Sequence, residues 1–123
     1  MKINDKLINR ADYVTENGAN GEWNYRKWSS GKIEMWCYHQ FEGLSITNGS
    51  SGTYYLSSMP TLSVPEVSSI DYVFGSATSA LSSGTFIHAI KVKSNKVLEF
   101  DIRRWVSGTN INCGAFIYLI GKI

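Results

Sequence analysis

Four tryptophans in 123 residues are the side chains with the most to offer. An exposed indole stacks on the face of a sugar ring and joins a large contact area to a polar N–H. A covered indole fills a core or a seam between chains. Trp28 and Trp36 flank one short turn, which lets them staple a hairpin across its strands. Arg26 and Glu34 are expected to meet across the same hairpin as an opposite-charge pair, shielded by those rings. Trp105, beside Arg104, is the tryptophan expected to face solvent.

The other reactive types give no catalytic pattern. Glycoside cleavage needs two carboxyl groups set at a fixed separation across a cleft. Glu34, Glu42, Glu66, Asp71, Glu99 and Asp101 are present, and Glu99 and Asp101 share one strand face. A solvated strand with charges at alternate positions reads the same way, so no catalytic residue is assigned. The two histidines, His39 and His88, both fall on otherwise apolar strand faces, with no His-x-His pair and no Cys/His cluster at ligand spacing. No metal and no cofactor are expected. Cys37 and Cys113 pair only if their strands meet, which sequence leaves open. No nucleophile elbow and no phosphate-binding glycine loop are present.

Ligand recognition on a rigid β scaffold is carried by loops. Small polar loops are expected at Thr47–Gly52, Ser76–Gly84 and Ser107–Asn112. Such residues make hydrogen bonds at little cost in side-chain entropy. Asn48, Ser50, Thr109 and Asn110, with Arg104 and Trp105, are the expected ligand contacts.

Strands must position these groups. Glu22–Ser29 alternates, Gly31 suits a positive φ in a tight connection, and Lys32–Glu42 alternates again. In that second strand Ile33, Met35, Cys37, His39 and Phe41 share one face. Lys32, Glu34, Trp36, Tyr38 and Gln40 share the other. Gly43–Gly52 reads as a loop and Thr53–Leu56 as a short strand. Pro60 and Pro65 frame an extended segment. Glu66–Phe74 reads as a strand, Gly75–Gly84 as a loop, Thr85–Lys93 and Val97–Val106 as strands about the Ser94-Asn95-Lys96 turn. After a loop at Ser107–Cys113, Gly114–Ile123 is nearly all apolar, which suits a central strand or burial on both faces. The count of seven or eight short strands between turn signals predicts an all-β domain, an antiparallel β-sandwich. Residues 1–10 read as a linker or short helical lead-in, and 11–123 as a single domain.

Composition agrees with that class: 43% hydrophobic, 13% aromatic and only 18% charged. The net charge of +2 is spread without a basic stripe, so nucleic acid is not expected as a partner. Ala115–Ile120 is the longest apolar run and is of strand length, so no membrane insertion is expected.

One block has a familiar pattern. Ala11-Asp12-Tyr13-Val14, a glycine loop, Trp23-Asn24-Tyr25-Arg26-Lys27-Trp28-Ser29-Ser30-Gly31 and Glu34-Met35-Trp36 follow in order. Pro60 and Pro65 stand in the middle, and Ile120-Gly121-Lys122-Ile123 ends the chain. This resembles the C-terminal tip domain of tail-fibre and minor structural proteins from phages and prophages of Gram-positive bacteria. The likeness runs from Ala11 to Ile123 and is strongest from Trp23 to Trp36. Cys37 stands where that family has Gly, and Met59-Pro60 replaces an aromatic followed by Pro.

The resemblance implies an antiparallel β, non-catalytic receptor-binding domain. It implies a homotrimer at the tail-fibre tip of the virion, made in the bacterial cytoplasm. Its ligand would be a bacterial cell-surface glycan or protein, and no cofactor would be needed. Trp23, Arg26, Trp28, Gly31, Glu34 and Trp36 are then structural hairpin residues rather than ligand contacts. Two alternatives share the aromatic β composition: a stand-alone lectin or carbohydrate-binding module of a secreted protein, and a polysaccharide-depolymerase fragment. The trimer reading carries its own expectation, an apolar strand face too large for one core, with the surplus covered by other chains.

Overall fold

The computed structural model describes residues 11–50, 52–77 and 84–123. The lead-in expected over 1–10 and the middle of the expected Gly75–Gly84 loop lie outside the described residues. Among the described residues there are nine strands and no helix. They are β1 (Val14–Asn20), β2 (Trp23–Trp28), β3 (Lys32–Ser50), β4 (Thr53–Leu56), β5 (Thr61–Ser63), β6 (Ser69–Ala77), β7 (Thr85–Ser94), β8 (Val97–Arg104) and β9 (Gly108–Lys122). Every pairing is antiparallel, and all nine strands join one sheet that does not close.

Two long strands organise it. The first part of β3 lies between β2 and β9, and β9 continues to β6. The last part of β3 pairs with β4, β4 with β8, and β8 with both β5 and β7. Register shifts between Phe41 and Leu44 and between Leu44 and Ile46 break the β3–β9 ladder at its middle. Gly43 sits there at a φ of 65°. Bulges of this kind bend a strand and sharpen its twist, which lets one strand serve both halves of the sheet.

The period-two pattern decides what is buried. Ile33, Met35, Cys37, Phe41 and Ile46 of β3, Cys113, Ala115, Ile117 and Leu119 of β9, and Leu98, Phe100 and Ile102 of β8 form one buried cluster. Phe41 meets Phe100 with ring centroids 4.9 Å apart. Trp23 is also in the core, and its Nε1 donates to the Ser63 carbonyl oxygen. A buried indole N–H needs such a partner. Cys37 and Cys113 are free thiols. Both face the core from adjacent strands, but Cys37 stands opposite Ile117 and Cys113 opposite Phe41. That offset is roughly 13 Å along the ladder, beyond disulfide reach.

Several expected loops are strand. β1 occupies the glycine-rich stretch after Val14, β3 runs on through Ser50, and β9 starts at Gly108. Pairing overrode weak strand propensity at each place. β1 is an edge strand built almost wholly of exposed residues. A bulge between Ile87 and Ala89 shifts the alternation of β7 and leaves His88 exposed, not on an apolar face. Finally, β9 is central, as its composition suggests, but it is not buried on both faces: Phe116 is 59% exposed.

Candidate functional site

The hairpin residues come together around one carboxylate. Arg26 pairs with Glu34 in the β2–β3 register, as expected, and their charged groups are 3.9 Å apart. Gly31 adopts a φ of 90° in the turn. Trp28 and Trp36 do not staple across strands, because Trp36 stands opposite Asn24. Instead the Trp28 Nε1 donates to Glu34 Oε1 at 2.6 Å, and the Tyr118 hydroxyl donates to Glu34 Oε2. Arg26 lies over the Trp36 ring and Lys32 over the Trp28 ring. Burial pushes the Glu34 carboxyl upward, but the two hydrogen bonds and the Arg26 and Lys32 charges outweigh it and hold it below its ordinary value. Burial and the neighbouring carboxylate push the Tyr118 hydroxyl up to about 12.

This hub borders a broad aromatic surface. On the outer face of β3, β9 and β6, Trp36, Tyr118 and Phe74 are direct neighbours in register. Tyr38 and Phe116 form the next row, and Glu34, Ile120 and Tyr72 the row on the other side. Tyr38 meets Phe116 edge to face, with centroids at 5.2 Å. Tyr72, Phe74 and Phe116 are each about six-tenths exposed and Tyr38 half-exposed. Trp36, Phe74, Gly75, Ser76, Phe116 and Tyr118 line an open groove within it. Two charged groups reach its central row: Arg26 lies over the Trp36 ring, and the Glu34 carboxylate accepts from the Tyr118 hydroxyl. Lys122 with Asp71 stands at its rim. From the sequence a surplus apolar strand face is expected but not placed, because a nearly all-apolar β9 looks the same whether one side or both are covered.

A second aromatic row lies on β4, β8 and β7. Tyr55 and Phe86 both stand opposite Arg103, one from each side. Arg103 lies over the Tyr55 ring, 5.7 Å from its centroid. It also grips Asp101 in a fork, Nε to Oδ1 and Nη2 to Oδ2, both at 3.1 Å. That hydrogen bond holds the Arg103 guanidinium above its ordinary value. Trp105 stacks on Phe86 at 4.9 Å and is 58% exposed.

Of the expected ligand contacts, Trp105 is thus outward-facing. Arg104 is half-buried, opposite Tyr54 and Thr85, and its Nε has no hydrogen-bond partner among the described residues. The outward arginine is its neighbour Arg103. Asn48 and Ser50 belong to the β3–β4 pairing, opposite Tyr55 and Thr53, rather than to a loop. Thr109 and Asn110 are exposed at the start of β9, with Asn110 at a φ of 53°. His39 contacts Glu22, its Nδ1 2.8 Å from both carboxylate oxygens. Among the described residues no group of three or more His, Cys, Asp or Glu is placed to hold a metal ion.

Compared with protein-family models, with curated proteins and with solved structures, the chain matches none.

Proposed function

We propose that this chain is a non-catalytic receptor-binding domain at the tip of a phage tail fibre, working as a homotrimer on the bacterial surface. The hairpin block from Trp23 to Trp36 supports the phage reading. The observation that carries the assembly is the outer face of β3, β9 and β6. Tyr38, Tyr72, Phe74 and Phe116 alone leave on the order of 450 Å² of ring surface open to water. A contiguous apolar patch of that size is often an interaction site. With the half-buried Trp36, Tyr118 and Ile120 it reaches roughly 600 Å², the lower end of the area per partner of a stable interface. An aromatic patch with an arginine lying against it has the composition of such an interface.

The test is the solution mass. Light scattering at micromolar concentration should give three times the 13.7 kDa chain mass. Phe74→Ser with Phe116→Ser should give the chain mass with an unchanged circular-dichroism spectrum, because neither ring belongs to the core. A stable wild-type monomer refutes the assembly. Failure of the full chain to adhere to any of a panel of Gram-positive cells refutes the receptor-binding reading.

A further inference from the structure

We infer that Arg104 and Thr85, at the end of the β7–β8 ladder, form a binding site for an oxyanion, a phosphate or carboxylate group. The inference goes beyond the receptor-binding reading and does not depend on it.

Alternation sets Arg104 on the inward side of β8, in line with the buried Leu98, Phe100 and Ile102. It is the last residue of that run, with Tyr54 of β4 opposite on one side and Thr85 of β7 on the other. A guanidinium in this place keeps its charge, because arginine does not give up its proton in a protein. The backbone makes room for it at Gly108. A Cβ there would collide with Nη1 of Arg104 and with the Ile111 side chain. Glycine serves where backbone and another group must approach this closely, and here it fixes where the guanidinium lies.

Charge then selects the ligand. Among the described residues the half-buried basic side chains are Arg26, Lys27, Lys32, Arg103 and Arg104. The first four each hold a carboxylate, from Glu34, Glu66, Asp12 and Asp101 respectively. Arg104 has neither an ion pair nor a hydrogen bond among the described residues. Asp101 is on the opposite side of β8 and is taken by Arg103. The Nε of Arg104 is shut off from solvent with nothing to donate to, and so is the hydroxyl of Thr85 directly opposite. Cβ atoms of directly opposed residues are about 5 Å apart, so two unused donors stand side by side. A water accepts such bonds but brings no charge, and a partly desolvated cation needs a counter-charge as well as acceptors. A phosphate or carboxylate supplies both. Its paired oxygens match the parallel N–H groups of a guanidinium, and the Thr85 hydroxyl can donate to the same group. Arg104 keeps part of its surface open to solvent, which gives an ion its way in.

The experiment titrates inorganic phosphate, and separately acetate, into the full chain against chloride at matched ionic strength. In two-dimensional NMR the Arg104 Nε–H signal should shift and saturate, while that of Arg103 stays still. Tm should rise with phosphate beyond the chloride control, as mass action requires of a ligand of the folded state. Phosphate also stabilises proteins in general, through its exclusion from their surface, so the variants decide. Arg104→Met, which keeps an apolar stem, should abolish the increment in Tm. Arg104→Lys, which keeps the charge but not the fork, should weaken the apparent affinity by about tenfold or more, the scale of one charge-assisted hydrogen bond. Arg103→Met, on the other side of β8, should retain the whole increment. An increment that survives Arg104→Met overturns the site. Should that variant fail to fold, an Arg104 signal in the wild-type chain that neither ion moves overturns it alone. A saturating response to acetate at lower concentration than to phosphate supports the site and names its ligand group as a carboxylate; the reverse order supports it as a phosphate site.

Discussion

Removing the Glu34 carboxylate should unfasten the hairpin from the centre of the sheet. Its two oxygens accept from the Trp28 indole and the Tyr118 hydroxyl, and its side chain is only 16% exposed. Glu34→Ala leaves both donors without a partner in a half-buried place. Each such loss costs about 1–3 kcal/mol, and partial solvent access puts both near the lower end. The sum is about 2–3 kcal/mol. In a domain of this size that lowers Tm by roughly 10 °C. Glu34→Gln keeps an oxygen acceptor and should lose about half as much. The assay is thermal and urea unfolding by circular dichroism at one fixed protein concentration, with an unchanged m-value as the control. pH gives a second readout. The folded-state carboxyl is held below its ordinary value, so its stabilisation is present above the unfolded value and is lost as pH falls through the folded one. The gap between wild type and Glu34→Gln should therefore narrow on acidification below the ordinary carboxylate range. A Glu34→Ala protein within about 0.5 kcal/mol of wild type, the range of an ordinary surface change, refutes the hub.

Three further outcomes follow from packing. Phe100→Ala, in the fully buried cluster against Phe41, should cost about 3–5 kcal/mol in urea unfolding. Gly84→Ala forces a Cβ toward the Trp105 indole at a positive φ; a crystal structure should show the indole displaced from Phe86, and an unmoved ring contradicts this contact. Burial, with the Glu22 charge, pushes the Cys37 thiol up to about 12, and burial also raises that of Cys113. Both thiols should therefore be silent to a thiol reagent in the native protein and react on unfolding; native labelling of either one contradicts their placement.

Where local chemistry and pairing agree, the sequence is readable. The β2–β3 turn at Gly31, the Arg26–Glu34 pair and the inward faces of β3 and β8 follow from alternation and one glycine. Reading fails where a partner strand decides. Asn17, Gly18 and Asn20 look like a turn, yet β2 lies alongside and draws them into β1. Asn48 and Gly49 look like a loop tip, yet they pair with Tyr55 and Tyr54. The exposed aromatic surfaces were harder still. Trp105 was legible as an exposed ring between polar loops, whereas Tyr55 and Phe86 come within reach of Arg103 only through strands distant in sequence. The exposed side of β9 depended on what covers it, which no periodicity encodes.

The β3–β9 ladder sets the order in which this protein can be made. Lys32 pairs with Lys122, so the strands that carry most of the core come from opposite ends of the chain. Closing so long a loop costs entropy before any contact rewards it, which places the domain among slow, millisecond-to-second folders. During synthesis Ile33, Met35 and Cys37 leave the ribosome long before Ile117 and Leu119 exist to cover them. The β1–β3 meander must wait with its inner face open, vulnerable to aggregation until the last strand arrives.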